Sequence, residues 1–299
     1  MREKSSYMTD YFMEHIWAGY ARTLRLKRTQ ANYFTAVCNL CDYVKADFMD
    51  ITGEQALSYF EARRRATPQP AVKTMHTWLS CYRTLGRYIM ANKSCISGAD
   101  DYHSPFDTIF LDDYSDDIDT KNLPTCDQLK KIMETAAMQQ DDGQMYLILL
   151  FATKCAMTAG EILSLTPQKI QLDAAGRGFI AFRDKKRQNE RIVKVPDVIM
   201  DFLNEHADIY SRRKTLFLNA RGGALSDRSM QNYVRKVMEE AEMPKPYTLQ
   251  DLRNLSIAKM LFYGASEEET ASYVGIMPGW MYRYSRILPE LENAPCDLL

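Results

Sequence analysis

Gly178-Phe-Ile-Ala-Phe-Arg-Asp-Lys-Lys-Arg-Gln-Asn-Glu-Arg-Ile-Val-Lys-Val195 is the stretch at which the hydrophobic period of this chain changes. On both sides of it, apolar residues recur at three- and four-residue spacing. Here two short β-rich runs, 178–183 and 191–195, flank a polar turn at 184–190. β-Branched and aromatic side chains suit a pleated, half-buried surface, so the pattern predicts an antiparallel hairpin. A hairpin inserted into helical sequence predicts a fold that is mainly α with a small antiparallel β-sheet. No βαβ alternation supports a parallel, nucleotide-binding sheet.

Upstream, helical periodicity over 6–24, 29–44, 52–67 and 71–90 predicts an all-helical domain. Thr29 and Thr52 stand where N-caps are expected, because a hydroxyl can accept from an orphan amide of the first turn. Thr67-Pro-Gln-Pro70 separates the last two of these helices. Between this domain and the hairpin lies 101–119, with Pro105, seven aspartates and no sustained period, which reads as a linker that Phe106, Ile109 and Phe110 could pin. The expected division is a helical domain at 1–103, an acidic linker at 104–121 and a mixed domain at 122–299. Further helices are expected at 125–138, 143–154, 159–165, 197–206, 226–241, 248–262, 266–273 and 279–287.

The net charge of −1, from 38 basic and 39 acidic residues, argues on its face against a nucleic-acid partner. The distribution argues otherwise: +5 over residues 1–100, −7 over 101–119 and +1 over 120–299. In the first domain, Arg22, Arg25, Lys27 and Arg28 form one cluster, and Arg63, Arg64, Arg65 and Lys73 extend a second, as expected of a surface that neutralises phosphates. The longest apolar run, near 145–155, is too short for a membrane span, and 1–9 lacks the apolar core of a secretory signal. A cytoplasmic protein with no membrane partner is expected. The seven cysteines read as reduced thiols, and Cys38 and Cys41 as small hydrophobes on one helical face. No Gly-rich phosphate loop, dinucleotide fingerprint, H-E-x-x-H or G-x-S-x-G occurs, so no cofactor and no metal is expected.

The second domain carries an ordered series of segments. Cys155-Ala-Met-Thr-Ala-Gly-Glu-Ile-Leu-Ser-Leu-Thr166 is followed by Lys186 and Arg191 in the hairpin, then by Leu216–Arg228 and Tyr247-Thr-Leu-Gln-Asp-Leu-Arg-Asn254. Gly264, Tyr273-Val-Gly275 and Trp280-Met-Tyr-Arg-Tyr284 complete it. In order and spacing this resembles the phage-integrase family of tyrosine recombinases, over nearly the whole chain. The resemblance implies a helical core-binding domain and a catalytic-type domain that clamp duplex DNA. It also implies a tyrosine that attacks a scissile phosphate to leave a 3′-phosphotyrosine. Arginines and histidine or tryptophan donors would hold the non-bridging oxygens, and a lysine would protonate the departing 5′ oxygen.

By the same resemblance, Arg253 matches the arginine of the H-x-x-R box, Lys186 the hairpin lysine with Lys185 and Arg187 beside it on DNA, and Tyr284 the nucleophile, with Tyr282 as the alternative. Tyr284 lies eight residues after Ile276, where nine is common. Four positions depart from the family pattern. Thr158 stands where the first arginine belongs, Gln250 where the box has histidine, Asn254 where histidine is frequent, and Ile276 where histidine or tryptophan belongs. Removing one preorganised donor costs on the order of a hundred- to thousand-fold in rate. The expectation is therefore a DNA-binding relative of the recombinases in which strand cleavage is lost or very weak. The alternatives are an active site-specific recombinase using Tyr284, and a protein-interaction module on the same fold. Expected partners are double-stranded DNA and either an active recombinase or a second copy held through the C-terminal segment 288–299.

Overall fold

Thr52 accepts from the amide of Gln55 while the Gln55 side chain accepts from the amide of Thr52 at 2.9 Å, a reciprocal capping box that starts a helix at Gly53. Around such local signals the computed structural model, which describes residues 2–184 and 189–291, builds two units, Met1–Ser115 and Asp116–Leu299. The first contains a π-helical turn, Phe12–Trp17, that runs into α1 (Ala18–Thr23), followed by α2 (Lys27–Val44), α3 (Gly53–Arg64) and α4 (Val72–Ala91). Val37, Leu40 and Cys41 of α2 and Leu79, Tyr82 and Leu85 of α4 meet Phe48, Tyr59 and Phe106 in its core. Thr29 is not a cap. The helix begins two residues earlier, after Leu26, and has no side-chain cap.

In the second unit, α5 (Cys126–Ala137) starts from a capping box between Thr125 and Gln128, and α6 (Gln144–Lys154) and α7 (Ala159–Leu163) follow. Strands β1 (Ile170–Leu172), β2 (Gly178–Asp184) and β3 (Asn189–Lys194) form an antiparallel sheet in that order. The hairpin of β2 and β3 matches the expectation, while β1, at three residues, was too short to carry a period. Then come α8 (Asp197–Glu205), α9 (Ala207–Tyr210), α10 (Asp227–Glu240), α11 (Leu249–Phe262), α12 (Glu267–Val274), α13 (Tyr282–Ser285) and α14 (Leu288–Leu291). Helix α6 is buried on nearly every side, as its almost unbroken apolar sequence requires, and α11 packs along it. Ile180 and Val193, paired across β2 and β3, turn one face of the sheet into the same core.

The acidic stretch divides between the two units. Tyr102, Phe106 and Ile109 enter the first core, and Arg83 of α4 fastens this part by donating to the carbonyls of Phe106 and Ile109 at 3.1 and 2.6 Å. Ile118 and Leu123 enter the second core. Phe110 remains exposed.

Cys38 and Cys41 are fully buried on α2, where burial pushes both thiols up and keeps them neutral, so they pack as hydrophobes. Cys38, Cys41, Cys81, Cys95 and Cys155 are free, whereas Cys126 is disulfide-bonded, against the expectation of reduced thiols throughout. Among the described residues, no three His, Cys, Asp or Glu side chains group as metal ligands, and no helix is long and apolar enough to cross a membrane.

Lys259 of α11 is buried with its Nζ 3.8 Å from Cys126 Sγ. Burial, and then the charge of Lys154, bring its ammonium down to about 8 from an ordinary 10.5. The folded state therefore holds this proton less tightly than the unfolded chain, which penalises the fold below pH 8 and releases the penalty between 8 and 10.5. Lys259→Met is expected to stabilise the protein at pH 7 by up to roughly 3 kcal/mol, with the gain shrinking as pH rises toward 10. Urea unfolding across pH 6–10 checks this.

Candidate functional site

Helix α12 ends at Gly275, whose φ of +71° is the left-handed turn that stops a helix. The amide of Ile276 closes the end on the carbonyl of Ala271 at 3.0 Å, and the Ile276 side chain packs on the core. The last carbonyls of a helix lack intrahelical donors. Here two of them are taken by guanidinium groups: Arg253 Nη2 donates to the Val274 oxygen at 2.8 Å, and Arg191 Nε donates to the Tyr273 oxygen.

Both arginines have a second anchor near the start of α7. Arg253, on the buried side of α11, donates Nε to the carbonyl of Ala156 at 2.8 Å, in a turn where Ala156 has a φ of +48°. Arg191, on β3, donates Nη1 to Glu161 Oε1. The other oxygen of Glu161 accepts from the amide and the hydroxyl of Thr158 at 2.8 and 2.9 Å, and Thr158 Oγ1 accepts from the amide of Glu161. Thr158 is thus the N-cap of α7, fixing the carboxylate that fixes Arg191.

Tyr284 of α13 is buried at 3% exposure, and its hydroxyl donates to Asn254 Oδ1 at 3.2 Å. Gln250 Nε2 donates to the same oxygen at 2.8 Å, so Gln250, Asn254 and Tyr284 form one polar chain along the edge of α11. Tyr282 is 43% exposed, with Arg286 over its ring. Burial lowers the Arg253 guanidinium, opposed by the nearby Tyr284, while Arg191 adds to the lowering and Glu161 opposes it. Burial raises the Tyr284 phenol, and Arg253 and Arg283 pull it back.

The structure therefore brings Arg253, Tyr284, Asn254 and Gln250 together, sets Thr158 apart from them as the N-cap of α7 on Glu161, and gives Ile276 a packing and helix-ending role. Lys185, Lys186 and Arg187 lie outside the described residues, as does the end of the C-terminal segment at 292–299. Arg191 and Glu161, read from the sequence only as landmarks of the ordered series, are brought together as an ion pair. A signal for Arg191 was present. By alternation it shares a face with Val193 of β3 and with Val195 just after it, which are buried, while Ile192, between Arg191 and Val193, is exposed. A cation on the core side of a strand needs a partner.

In the first unit, Arg22, Arg25, Lys27 and Arg28 are exposed around the junction of α1 and α2. Lys27 and Arg28 occupy the first turn of α2, where a helix dipole disfavours cations, so this cluster is not there for helix stability. Arg63 lies over the Tyr59 ring, Arg64 pairs with Asp112 at 3.2 Å and Lys73 lies over the Tyr114 ring, while Arg65 is exposed. Much of the second cluster is thus engaged within its own unit.

A family model described as "Phage integrase family" matches residues 124–275. No curated protein matches the chain significantly. Among solved structures, XerH site-specific recombinase bound to a palindromic difH substrate, in a post-cleavage complex, is similar at a TM-score of 0.67 and 14% identity over 98% of each chain. A lambda integrase fragment bound to DNA is similar at 0.67 and 14% identity, over 91% of this chain and 95% of that one. The Tn1549 transposon integrase with transposon right end DNA gives 0.66 and 13% identity, over 93% and 97%. At such identities the likeness establishes the fold: mainly α with a small antiparallel sheet, as in tyrosine recombinases.

Gly275 is required twice, by its positive φ and because a Cβ there would meet Arg191 Cδ at 3.2 Å. Gly275→Ala is expected to lose about 1–2 kcal/mol of stability, the cost of a left-handed L-residue, measurable by urea unfolding.

Proposed function

This chain belongs to the phage integrase family, and on that premise we propose that it binds duplex DNA and cuts and rejoins strands through Tyr284, the chemistry of recombination or integration. One observation carries this reading. Of the two candidate tyrosines, Tyr284 is the one enclosed beside Arg253, and the two groups act on each other electrostatically. In the step proposed, Tyr284 Oη attacks phosphorus, the bond from phosphorus to the 5′ oxygen breaks, and a 3′-phosphotyrosine and a 5′-hydroxyl result. The phenol gives up one proton and the 5′ oxygen gains one. Arg253 offsets the charge that builds on the non-bridging oxygens, where a preorganised guanidinium in a dry site has its largest effect. The resemblance assigns delivery of the proton to Lys186.

DNA as partner is supported by the similar structures, which hold DNA substrates, and by the exposed cluster at the junction of α1 and α2. A second reading, binding without cleavage, is favoured by one observation: Thr158 and Ile276, at two family site positions, are committed to helix ends.

A nicked duplex, selected from a randomised pool by binding and arranged so that cleavage cannot be reversed, separates the readings. The wild-type protein is expected to form a covalent adduct that Tyr284→Phe abolishes and Tyr282→Phe leaves intact. Binding with no adduct would establish the second reading. Charge removal at Arg22, Arg25, Lys27 and Arg28 is expected to weaken duplex binding and to flatten its dependence on log salt, by about 0.9 for each phosphate no longer neutralised. An unchanged slope would remove this cluster from the interface.

A further inference from the structure

The stretch that leads into Tyr284 turns large apolar side chains outward. A 3-10 turn, Pro278–Trp280, runs into α13, and backbone hydrogen bonds from Trp280 to Met277, from Tyr284 to Met281 and from Arg286 to Tyr282 carry one helical path through to Arg286. Met281 and Tyr284 are buried and anchor that path, whereas Trp280 is 44% exposed and Met277 and Tyr282 are exposed with it. Single exposed apolar residues are ordinary on a protein surface. Here three fall within residues 277–282, and each of the two rings has a guanidinium over it: Arg283 over Trp280 at 5.7 Å and Arg286 over Tyr282 at 5.3 Å. Residues 277–286 hold these two arginines and no acidic side chain.

We infer that Trp280 and Tyr282 form a stacking platform for unpaired nucleobases of the DNA strand next to the phosphate on which Tyr284 acts. The inference rests on the reading of Tyr284 given above and adds to it a second kind of partner, single-stranded DNA.

The shape and the charge of the patch select this occupant. An open aromatic face is matched by a flat π-system, which every nucleobase carries. In a duplex those faces are covered by the neighbouring base pairs, so bases that have left the stack are the ones able to use it. The arginines set the sign of the partner. A cation over a ring is held there by the ring quadrupole, and its remaining N–H groups suit the phosphates that accompany each base. Arg286 also pairs with Asp117 at 3.1 Å, an exposed contact of the weak kind that a phosphate can replace. Arg283 keeps a buried Nε with no hydrogen-bond partner.

Position supplies the unpaired bases. Tyr284 follows Trp280 by four residues, about one turn along the same path. Cleavage there frees a 5′ end, whose first bases can leave the stack. A base held on Trp280 is kept from pairing again while the phosphotyrosine persists, which favours exchange of strands over simple resealing.

The test uses the full chain with Tyr284→Phe, so that binding is read without cleavage. The probe is the nicked duplex described above, either fully paired or with three thymines left unpaired on the 5′-hydroxyl side of the nick, and with 2-aminopurine beside them. The protein is expected to bind the unpaired form roughly tenfold more tightly and to quench its fluorescence. Trp280→Ala is expected to lose both the preference and the quenching while binding the paired form as before. Trp280→Phe, which keeps a ring, is expected to retain most of the preference, and Tyr282→Ala to lose part of it. No preference for the unpaired form, or an equal loss on both forms in Trp280→Ala, would overturn the proposal. So would a change in sedimentation of Trp280→Ala without DNA, which would assign the ring to contact with a second copy of the chain.

Adduct formation is read separately on the protein with Tyr284 intact. Its absence would remove the cleavage reading, and the preference for unpaired bases would still decide the platform. If neither duplex is bound, oligothymidylate decides it. Of the three tryptophans, Trp17 is buried and Trp78 partly so, and oligothymidylate is then expected to quench emission in the parent protein but not in Trp280→Ala. No quenching in the parent would reject the platform.

Discussion

The end of α12 sets the geometry on which the second unit's chemistry depends. A helix must leave its last carbonyls without intrahelical donors, and here those of Tyr273 and Val274 receive Arg191 and Arg253. The arrangement serves two ends at once. It satisfies oxygens that would otherwise be unpaired next to the core, and it locks two long, flexible cations into single orientations. Gly275 makes it possible by stopping the helix in a left-handed turn and leaving room for the Arg191 side chain. Arg253 on α11, Arg191 on β3 and Glu161 on α7 converge there although 92 residues separate Glu161 from Arg253.

How legible this was in the sequence differs from residue to residue. The hairpin showed through a change of period, and Thr52 began a helix where capping chemistry places it. Thr29 did not, because α2 gains its stability from packing and can begin at Lys27 with no cap. Arg253 was found because its local context, Leu252 before it on a helix, is a contiguous pattern. Arg191 stood in the series only as a landmark of the hairpin, and its contacts were not legible because its partners lie 30 and 82 residues away. The alternation in β3 held the clue, since Arg191 falls on the face of Val193 and Val195. Spacing put Tyr284 ahead of Tyr282 by being one residue short of the family interval, and burial, invisible in the sequence, sets the two further apart.

Charge shows a similar division between average and arrangement. The net −1 hides an acidic stretch whose two halves are absorbed by different units, Asp112 pairing with Arg64 and Asp117 with Arg286 at 3.1 Å. Such exposed pairs contribute at most about 1 kcal/mol each. Their effect is on arrangement: Arg64 is drawn onto its own unit, while Arg22, Arg25, Lys27 and Arg28 are exposed around the junction of α1 and α2.

The interior of the second unit departs from what stability alone would select. A core optimised for folding would place an apolar side chain at Arg191, beside Val193, and would leave no guanidinium nitrogen without an acceptor. Instead, Arg253 is buried on backbone carbonyls, Arg191 keeps a buried Nη2 with no hydrogen-bond partner, and a buried lysine, Lys259, sits on the same helix as Arg253. Places where local rules are broken while the surrounding structure holds firm are where function is expected to reside. Here the violation has a sign. A buried guanidinium held on backbone carbonyls keeps its positive charge without a carboxylate in hydrogen-bond contact, and such a group favours an anion.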